Sequence, residues 1–398
     1  MTRVVYTPGS EVDARVEKIQ QLMAPAGLDG VIVTHHTNLF YFSGTSQSAH
    51  LFIPVTGQPV LMVKKSYERA QKESPLYRIV PLKSLKKMIP LLRDMGFDHL
   101  GRLGFELDIM PYNTVVYYRK VLEGHHILDA SGIIRQLRLI KSPYEIELLK
   151  HSCLVLDQTF SKVPSMLRLG MREVELAAGF EAELRANGFG GSTRMRAFNQ
   201  DLLFGNIVSG SSGNAPSYFD GPVGGHGLGP ANHPHGAGWK KIETDEAVYI
   251  DYTCVVNGYT ADAQRVFVMG TLPDDLMKAH DAALEIQEKV TRVIEPGMAC
   301  HVPYDTALEM ARAHGLEAHF MGQGPDASRF VAHGVGLELD ESPILASGFD
   351  MTLDVGMTFA LEPKFVFDHG AVGIENTFAV TERGVEKLNR FNEQIISV

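Results

Sequence analysis

The sequence predicts two folded parts, an α/β unit over residues 1–135 and an α+β unit over residues 136–398. Three observations lead there. The chain has 398 residues, too many for one ordinary domain. Helical and strand-like patterns alternate through the first third, whereas beyond residue 136 long helices come first and glycine-rich and strand-like segments follow. Two stretches of the second part also repeat. GMREVELAAGFEAELRANGF from Gly170 aligns without gaps to GMACHVPYDTALEMARAHGL from Gly297, matching Met171 to Met298, Arg185 to Arg312, Ala186 to Ala313 and Gly188 to Gly315. Such a repeat implies two α+β halves related by an internal pseudo-two-fold, with a cleft between them as the natural ligand site.

In order along the chain, EVDARVEKIQQLMAPAG carries apolar residues at helical spacing and stops at Gly27. DGVIVT and PVLMVKK are short apolar runs bounded by turn residues and read as strands. SLKKMIPLLRDMG, LGFEL and YNTVVYYRKVLEG continue the alternation. The second part opens on a helix start, with Ser142 as N-cap, Pro143 in the first turn and Glu145 three residues after the cap. FDGPVGGHGLGP is glycine-rich but lacks the Gly-Lys-Ser/Thr ending of a phosphate-binding loop, so it reads as a loop shaping a cleft.

Composition narrows the function classes. Hydrophobic content of 44% and charged content of 21% are ordinary for a soluble globular protein. A net charge of −10 with no basic cluster argues against nucleic acid and anionic membrane as partners. Cys153, Cys254 and Cys300 form neither a disulfide framework nor a metal-ligand spacing. The N-terminal residues lack the apolar run of a signal peptide, and no run of about 18 apolar residues is present. A cytoplasmic enzyme is the expectation.

The chemistry lies in acids that stand where acids are costly. In VYIDYTCVVNGYTADAQRVFVMG, Asn257-Gly258 is a strong hairpin signal and pairs Val256 with Tyr259. Counting outward, Thr253 faces Asp262 and Asp251 faces Gln264, so Asp251 and Asp262 share a face as diagonal neighbours. Taken alone, that pair reads more plainly as two solvated acids on an exposed hairpin. A second pair changes the weighting. In MTFALEPKFVFDHGAVGIENTFAVT, a loop at Asp368-His369 places Glu362 opposite Glu375 in strands that otherwise read as apolar core. Like charges directly across a ladder repel, and a bound cation removes the difficulty. His333, in AHGVGLELDESP, completes an oxygen-rich set with one imidazole that suits Mn²⁺, Co²⁺, Fe²⁺ or Zn²⁺. Four carboxylates exceed what one divalent ion needs, so a pair of ions is expected, supplying an activated water to a polarised carbonyl.

These residues resemble the pita-bread metallopeptidase superfamily, which includes aminopeptidase P, prolidase, methionine aminopeptidase and the metal-free creatinase. The resemblance covers the whole chain, with a creatinase-like N-terminal domain and a pita-bread C-terminal domain. It rests on Asp251 and Asp262, His333 in HGVGLE, Glu362 in LEP and Glu375 in GIENTFAVTERG. It implies that these five side chains hold two divalent ions. It further implies that the protein hydrolyses the N-terminal bond of short peptides as an Xaa-Pro aminopeptidase or dipeptidase, and that it is a homodimer.

Four places depart from the family pattern. Asp340 stands where its peptidases usually carry a second histidine, which makes it a candidate base or a grip for a substrate amine. Arg329 and Gly373 replace a histidine and an arginine found in many members. The upstream histidine matches either His235, the candidate catalytic residue taken here, or a lead-in that puts Ser217 in its place. An alternative reading follows from Asp340: a lyase in the same scaffold, acting on a small zwitterion such as dimethylsulfoniopropionate with Asp340 as base. The third reading, a catalytically silent binding protein, expects lost ligands, and none is lost.

Overall fold

The computed structural model describes residues 4–200, 204–232 and 234–398, and these fall into two compact units that meet in sequence at Arg138 and Leu139. The first unit holds one six-stranded sheet made of β1 (Gly30–Val33), β2 (Ala49–Pro54), β3 (Val60–Val63), β4 (Arg78–Pro81), β5 (Arg102–Phe105) and β6 (His126–Asp129) in the order β4-β3-β2-β1-β5-β6. β1, β2 and β3 pair antiparallel, and the remaining neighbours run parallel. The parallel pairs need crossovers, and helix Tyr67–Glu73 supplies that between β3 and β4, helix Tyr112–Val121 that between β5 and β6. The first helix spans Gly9–Met23 and packs Val12, Val16, Ile19 and Met23 inward at helical spacing.

The second unit starts as its sequence dictates. Ser142 Oγ accepts from the Glu145 amide at 3.2 Å, and the Ser142 amide donates to Glu145 Oε2 at 3.0 Å, so helix Pro143–Phe160 opens on a complete capping box. The same order of elements then occurs twice. Helix Pro143–Phe160 is followed by helix Glu173–Ala186, and helix Asp274–Val293 by helix His301–Ala313. The glycines that flank each second helix, Gly170 and Gly188 in one copy and Gly297 and Gly315 in the other, all have positive φ. Only glycine adopts that backbone without strain, which is why the repeat is most legible there.

Each pair of helices covers a sheet. The first sheet contains β7 (Gly205–Ser209), β8 (Val248–Val256) and β9 (Tyr259–Val268), with the short β17 (Ile396–Ser397) on its edge. The second contains β10 (Phe330–Val335), β11 (Leu339–Ala346), β12 (Thr358–Leu361), β15 (Asn376–Thr381) and β16 (Gly384–Lys387) in the order β11-β10-β12-β15-β16. β13 (Lys364–Phe367) and β14 (Gly370–Gly373) extend β12 and β15 as a separate hairpin. Two apolar clusters fill the unit. One gathers Phe160, Phe180, Ile207, Ile250 and Phe267, the other Ala283, Ile286, Phe359, Phe365 and Phe378.

Arg265 on β9 is fully buried and spends its guanidinium on neighbouring backbone. It donates to the carbonyls of Gln264, Glu375, Phe391 and Asn392 and to Asn376 Oδ1. Five acceptors from three stretches of chain are thereby tied to one planar fork. Among the described residues no helix is long and apolar enough to cross a membrane.

Candidate metal centre

Two hairpins deliver the acids. Asn257 (φ 52°) and Gly258 (φ 91°) form the two-residue turn, and β8 and β9 pair Val256 with Tyr259, Thr253 with Asp262 and Asp251 with Gln264. Asp251 and Asp262 are therefore diagonal neighbours on one face, as their spacing predicts. In the other sheet Leu361 pairs with Asn376, and in the hairpin beyond it Lys364 pairs with Gly373. Both pairings carry one register, and it sets Glu362 opposite Glu375. The ladder is interrupted at that point. Pro363 has no N–H to give, the Glu362 amide turns to Val331 O at 2.9 Å, and the Gln264 amide reaches Glu375 O at 3.2 Å.

His333, on β10, points its ring into the same space. Nε2 lies 3.8 Å from Asp262 Oδ2, 3.5 Å from Glu362 Oε1 and 3.6 Å from Glu375 Oε1. Donors around a tetrahedral ion at about 2.1 Å are spaced about 3.4 Å apart, so His333 Nε2 stands near ligand spacing from each of the three carboxylates. Asp262, His333 and Glu375 each offer a ligand atom within 4.8 Å of the others. Two oxygens of the set, Asp262 Oδ1 and Glu375 Oε1, are buried without a hydrogen-bond partner, as metal ligands are before they are engaged.

The other half of the acid cluster holds a side chain that the sequence reading passed over. Lys364 Nζ sits 2.7 Å from Asp251 Oδ2, 2.5 Å from Glu362 Oε2 and 2.8 Å from Glu375 Oε2. The lysine is 2% exposed. A clue was available: it follows Glu362 by two positions in a strand, so it shares that glutamate's face, and it is a charge in an apolar run. Tyr249 Oη donates to Asp251 Oδ2 at 2.9 Å and completes that side.

Charges follow this geometry. Burial pushes Asp262 well above the usual carboxylate range, and the neighbouring Glu375 and Asp251 add to it. Burial likewise raises Asp251 to about 6 and Glu362 to about 8, with Lys364 opposing both shifts. Glu375 goes the other way, to about 2: burial would raise it, but it lies between Lys364 and His333, and their charges prevail. Burial alone would lower His333, yet Asp340, Glu375, Glu362 and Asp262 hold it well above its ordinary value.

Asp340 touches the histidine. Its Oδ1 is 3.2 Å from His333 Nδ1, so it fixes the ring from behind and leaves Nε2 toward the carboxylates. Asp340 has a φ of 59°, a left-handed conformation that aspartate and asparagine tolerate better than most residues. The other acids after His333 serve different partners: Glu341 meets Lys141 at 2.7 Å and Glu338 approaches Arg196 at 3.8 Å. Asp340→Ala is expected to weaken Mn²⁺ binding about 10–100-fold, the usual cost of losing a residue that orients a ligand. Asp340→Asn keeps both an acceptor and the backbone preference and should lose much less. Calorimetric titration of the two variants checks this; equal affinities would detach Asp340 from the histidine's role.

His235 and Ser217, the two alternatives for the upstream position, are hydrogen-bonded to each other, Nδ1 to Oγ at 2.8 Å. His235 is buried and lines the same cavity as the acids, a space walled in part by Phe219, Pro222, Val223, Phe330 and Leu339. The glycine-rich loop supplies the first three of those residues.

Residues 147–382, more than half of the chain, match the model of metallopeptidase family M24, and residues 15–140 match the creatinase/prolidase N-terminal domain. The chain belongs to metallopeptidase family M24. Full-length relatives of this M24 chain include the Xaa-Pro dipeptidase of Pyrococcus furiosus, 26% identical over 96% of this chain and 99% of the relative. An uncharacterized peptidase of Bacillus subtilis is 25% identical over 96% and 99%. Among solved structures, the Xaa-Pro dipeptidase from Bacillus anthracis superposes with a TM-score of 0.83 at 24% identity, covering 97% of this chain and 100% of that one. The prolidase from Pyrococcus furiosus gives 0.75 at 25% identity over 94% and 99%. The creatinase-like domain followed by a pita-bread domain is thus the fold of this M24 chain.

Proposed function

We propose that this protein is a metal-dependent peptidase that releases the N-terminal residue of short Xaa-Pro peptides, acting as a dipeptidase or aminopeptidase. The observation that carries the reading is His333 Nε2 facing Asp262, Glu362 and Glu375 at 3.5–3.8 Å in a cavity whose acids stand beside apolar side chains such as Phe219, Pro222 and Phe330. Full-length relatives named as Xaa-Pro dipeptidases support it over the lyase alternative. Catalysis is assigned to residues 136–398, with residues 1–135 as an accessory domain. The reading includes a cytoplasmic homodimer, and the oxygen-rich donor set supports Mn²⁺, Co²⁺, Fe²⁺ or Zn²⁺.

A bound divalent ion would polarise the scissile carbonyl and lower the pKa of water. The protein's own groups do the remaining work. Asp262, His333, Glu362 and Glu375 supply ligands, and Asp340 keeps the imidazole oriented. Ser217 Oγ accepts from the Phe219 amide at 3.2 Å and can donate its own proton to His235 Nδ1, 2.8 Å away. That fits the tautomer with the proton on Nε2, a donor for charge developing on the substrate's carbonyl oxygen. The rings of Phe219, Pro222 and Phe330 offer the flat apolar wall that a proline side chain fills. The test is an assay of chelator-stripped protein reloaded with Mn²⁺, Co²⁺, Fe²⁺ or Zn²⁺ against Gly-Pro, Ala-Pro, Met-Pro, matched dipeptides without proline, and dimethylsulfoniopropionate. Xaa-Pro hydrolysis that chelator abolishes is expected. Turnover of the zwitterion with no peptide cleaved would overturn the reading.

A further inference from the structure

We propose that Lys364 is the resident cation of one half of this acidic site, so that the protein takes one divalent ion where its carboxylates alone would hold two. This deepens the metal-dependent reading above and rests on it for the ion's role. The cluster has two cation positions, and both glutamates span them. Glu362 and Glu375 each direct one oxygen to Lys364 Nζ and the other toward His333 Nε2. Asp251 serves the lysine position and Asp262 the histidine position.

At the lysine position the chemistry is already complete. An ammonium has three N–H donors and no acceptor, and three carboxylate oxygens surround it at 2.5–2.8 Å. A second ion there would need the same three oxygens, and it would stand beside a buried like charge. At the histidine position the opposite holds: Glu375 Oε1 still lacks a partner, and so does Asp262 Oδ1, the second oxygen of the carboxylate whose Oδ2 faces the imidazole.

One departure from the family pattern, Gly373, lies against the lysine. Gly373 pairs directly with Lys364 across the hairpin. A Cβ at residue 373 would lie 2.8 Å from Lys364 Cα, 2.9 Å from its Cγ and 2.7 Å from Pro363 O. A side chain there would collide with the backbone of residues 363 and 364 as well as with the lysine stem, so glycine at 373 keeps the ammonium's channel open.

The experiment counts ions without using substrate. Chelator-stripped wild-type protein is titrated with Mn²⁺ by calorimetry, with metal-to-protein ratios checked by elemental analysis. One Mn²⁺ per chain is expected, and its electron paramagnetic resonance should be the six-line pattern of an isolated ion. Two ions per chain, or an exchange-coupled pair, would overturn the proposal, as would none. Lys364→Ala empties the lysine position and should raise the ratio from one to two; a folded variant that still binds one overturns the assignment. If that variant fails to fold, the wild-type ratio and spectrum decide alone. Should the wild type bind one ion yet cleave no peptide, the peptidase reading fails and the lysine assignment stands.

Discussion

Lys364→Met is expected to destabilise the metal-free protein by about 3–5 kcal/mol, the cost of removing one partner from a buried ionic cluster. That corresponds to a drop in Tm of roughly 10 °C for a unit of this size. Methionine keeps most of the volume, so the loss is not a packing defect. Three buried carboxylates lose their shared donor, and repulsion among Asp251, Glu362 and Glu375 is left uncompensated. The penalty has a defined pH trend. Asp251 and Glu362 already titrate at about 6 and about 8, above their unfolded values, because of burial. An acid whose folded pKa is raised costs stability at pH values above its unfolded pKa, and the cost grows until the folded pKa is passed. Without the ammonium both folded values move further up, so the gap between variant and wild type should widen as pH rises past about 6, where Asp251 ionises in the wild type, and further past about 8, where Glu362 does. Thermal melts of stripped protein across that range check it. A variant that melts with the wild type at every pH would show that the ammonium balances no charge.

Arg265→Met should cost at least about 4 kcal/mol, because several buried acceptors lose their donor together and each unsatisfied group costs about 1–3 kcal/mol. The carbonyls of Gln264, Glu375, Phe391 and Asn392 and the side chain of Asn376 all depend on that one guanidinium. Because one of those carbonyls belongs to Glu375, a candidate ligand is held through its own backbone. Arg265→Lys keeps the charge but has three donors in place of five, without the planar fork. It should fall between wild type and Arg265→Met in urea unfolding and should bind Mn²⁺ more weakly than wild type. If Arg265→Met unfolds within about 1 kcal/mol of wild type, the tether contributes nothing.

Much of the site was legible because strand chemistry is periodic. Asn257-Gly258 fixed one register, and with it the diagonal pair Asp251 and Asp262. The Asp368-His369 turn fixed the other, and Glu362 fell opposite Glu375 even though Pro363 interrupts the ladder between them. Ser142, Pro143 and Glu145 announced the start of their helix through side-chain bonds that span three residues. The features that escaped depend on contacts between distant segments. Lys364 shares a strand face with Glu362 in the sequence, but its partner Asp251 comes from the β8–β9 hairpin, 113 residues away. Arg265 is invisible as a tether because its acceptors are backbone carbonyls, which every residue possesses. His235 and Ser217 competed for one role when read along the chain, and the fold joins them in one hydrogen bond. Asp340 was expected to face the substrate, and it lines the cavity, but its carboxylate is turned to His333 Nδ1.

A cation anchored by a peptide bond cannot be chelated, diluted or exchanged. The ammonium on Asp251, Glu362 and Glu375 therefore stays in place however little metal the surroundings offer. A site that must collect two ions fills in two steps, and its activity rises sigmoidally with free metal. A site born half-filled needs a single encounter, so its activity should follow free metal along a simple hyperbola. In scarcity the protein would persist as a folded reserve, one ion short of function and restored within one binding event of resupply.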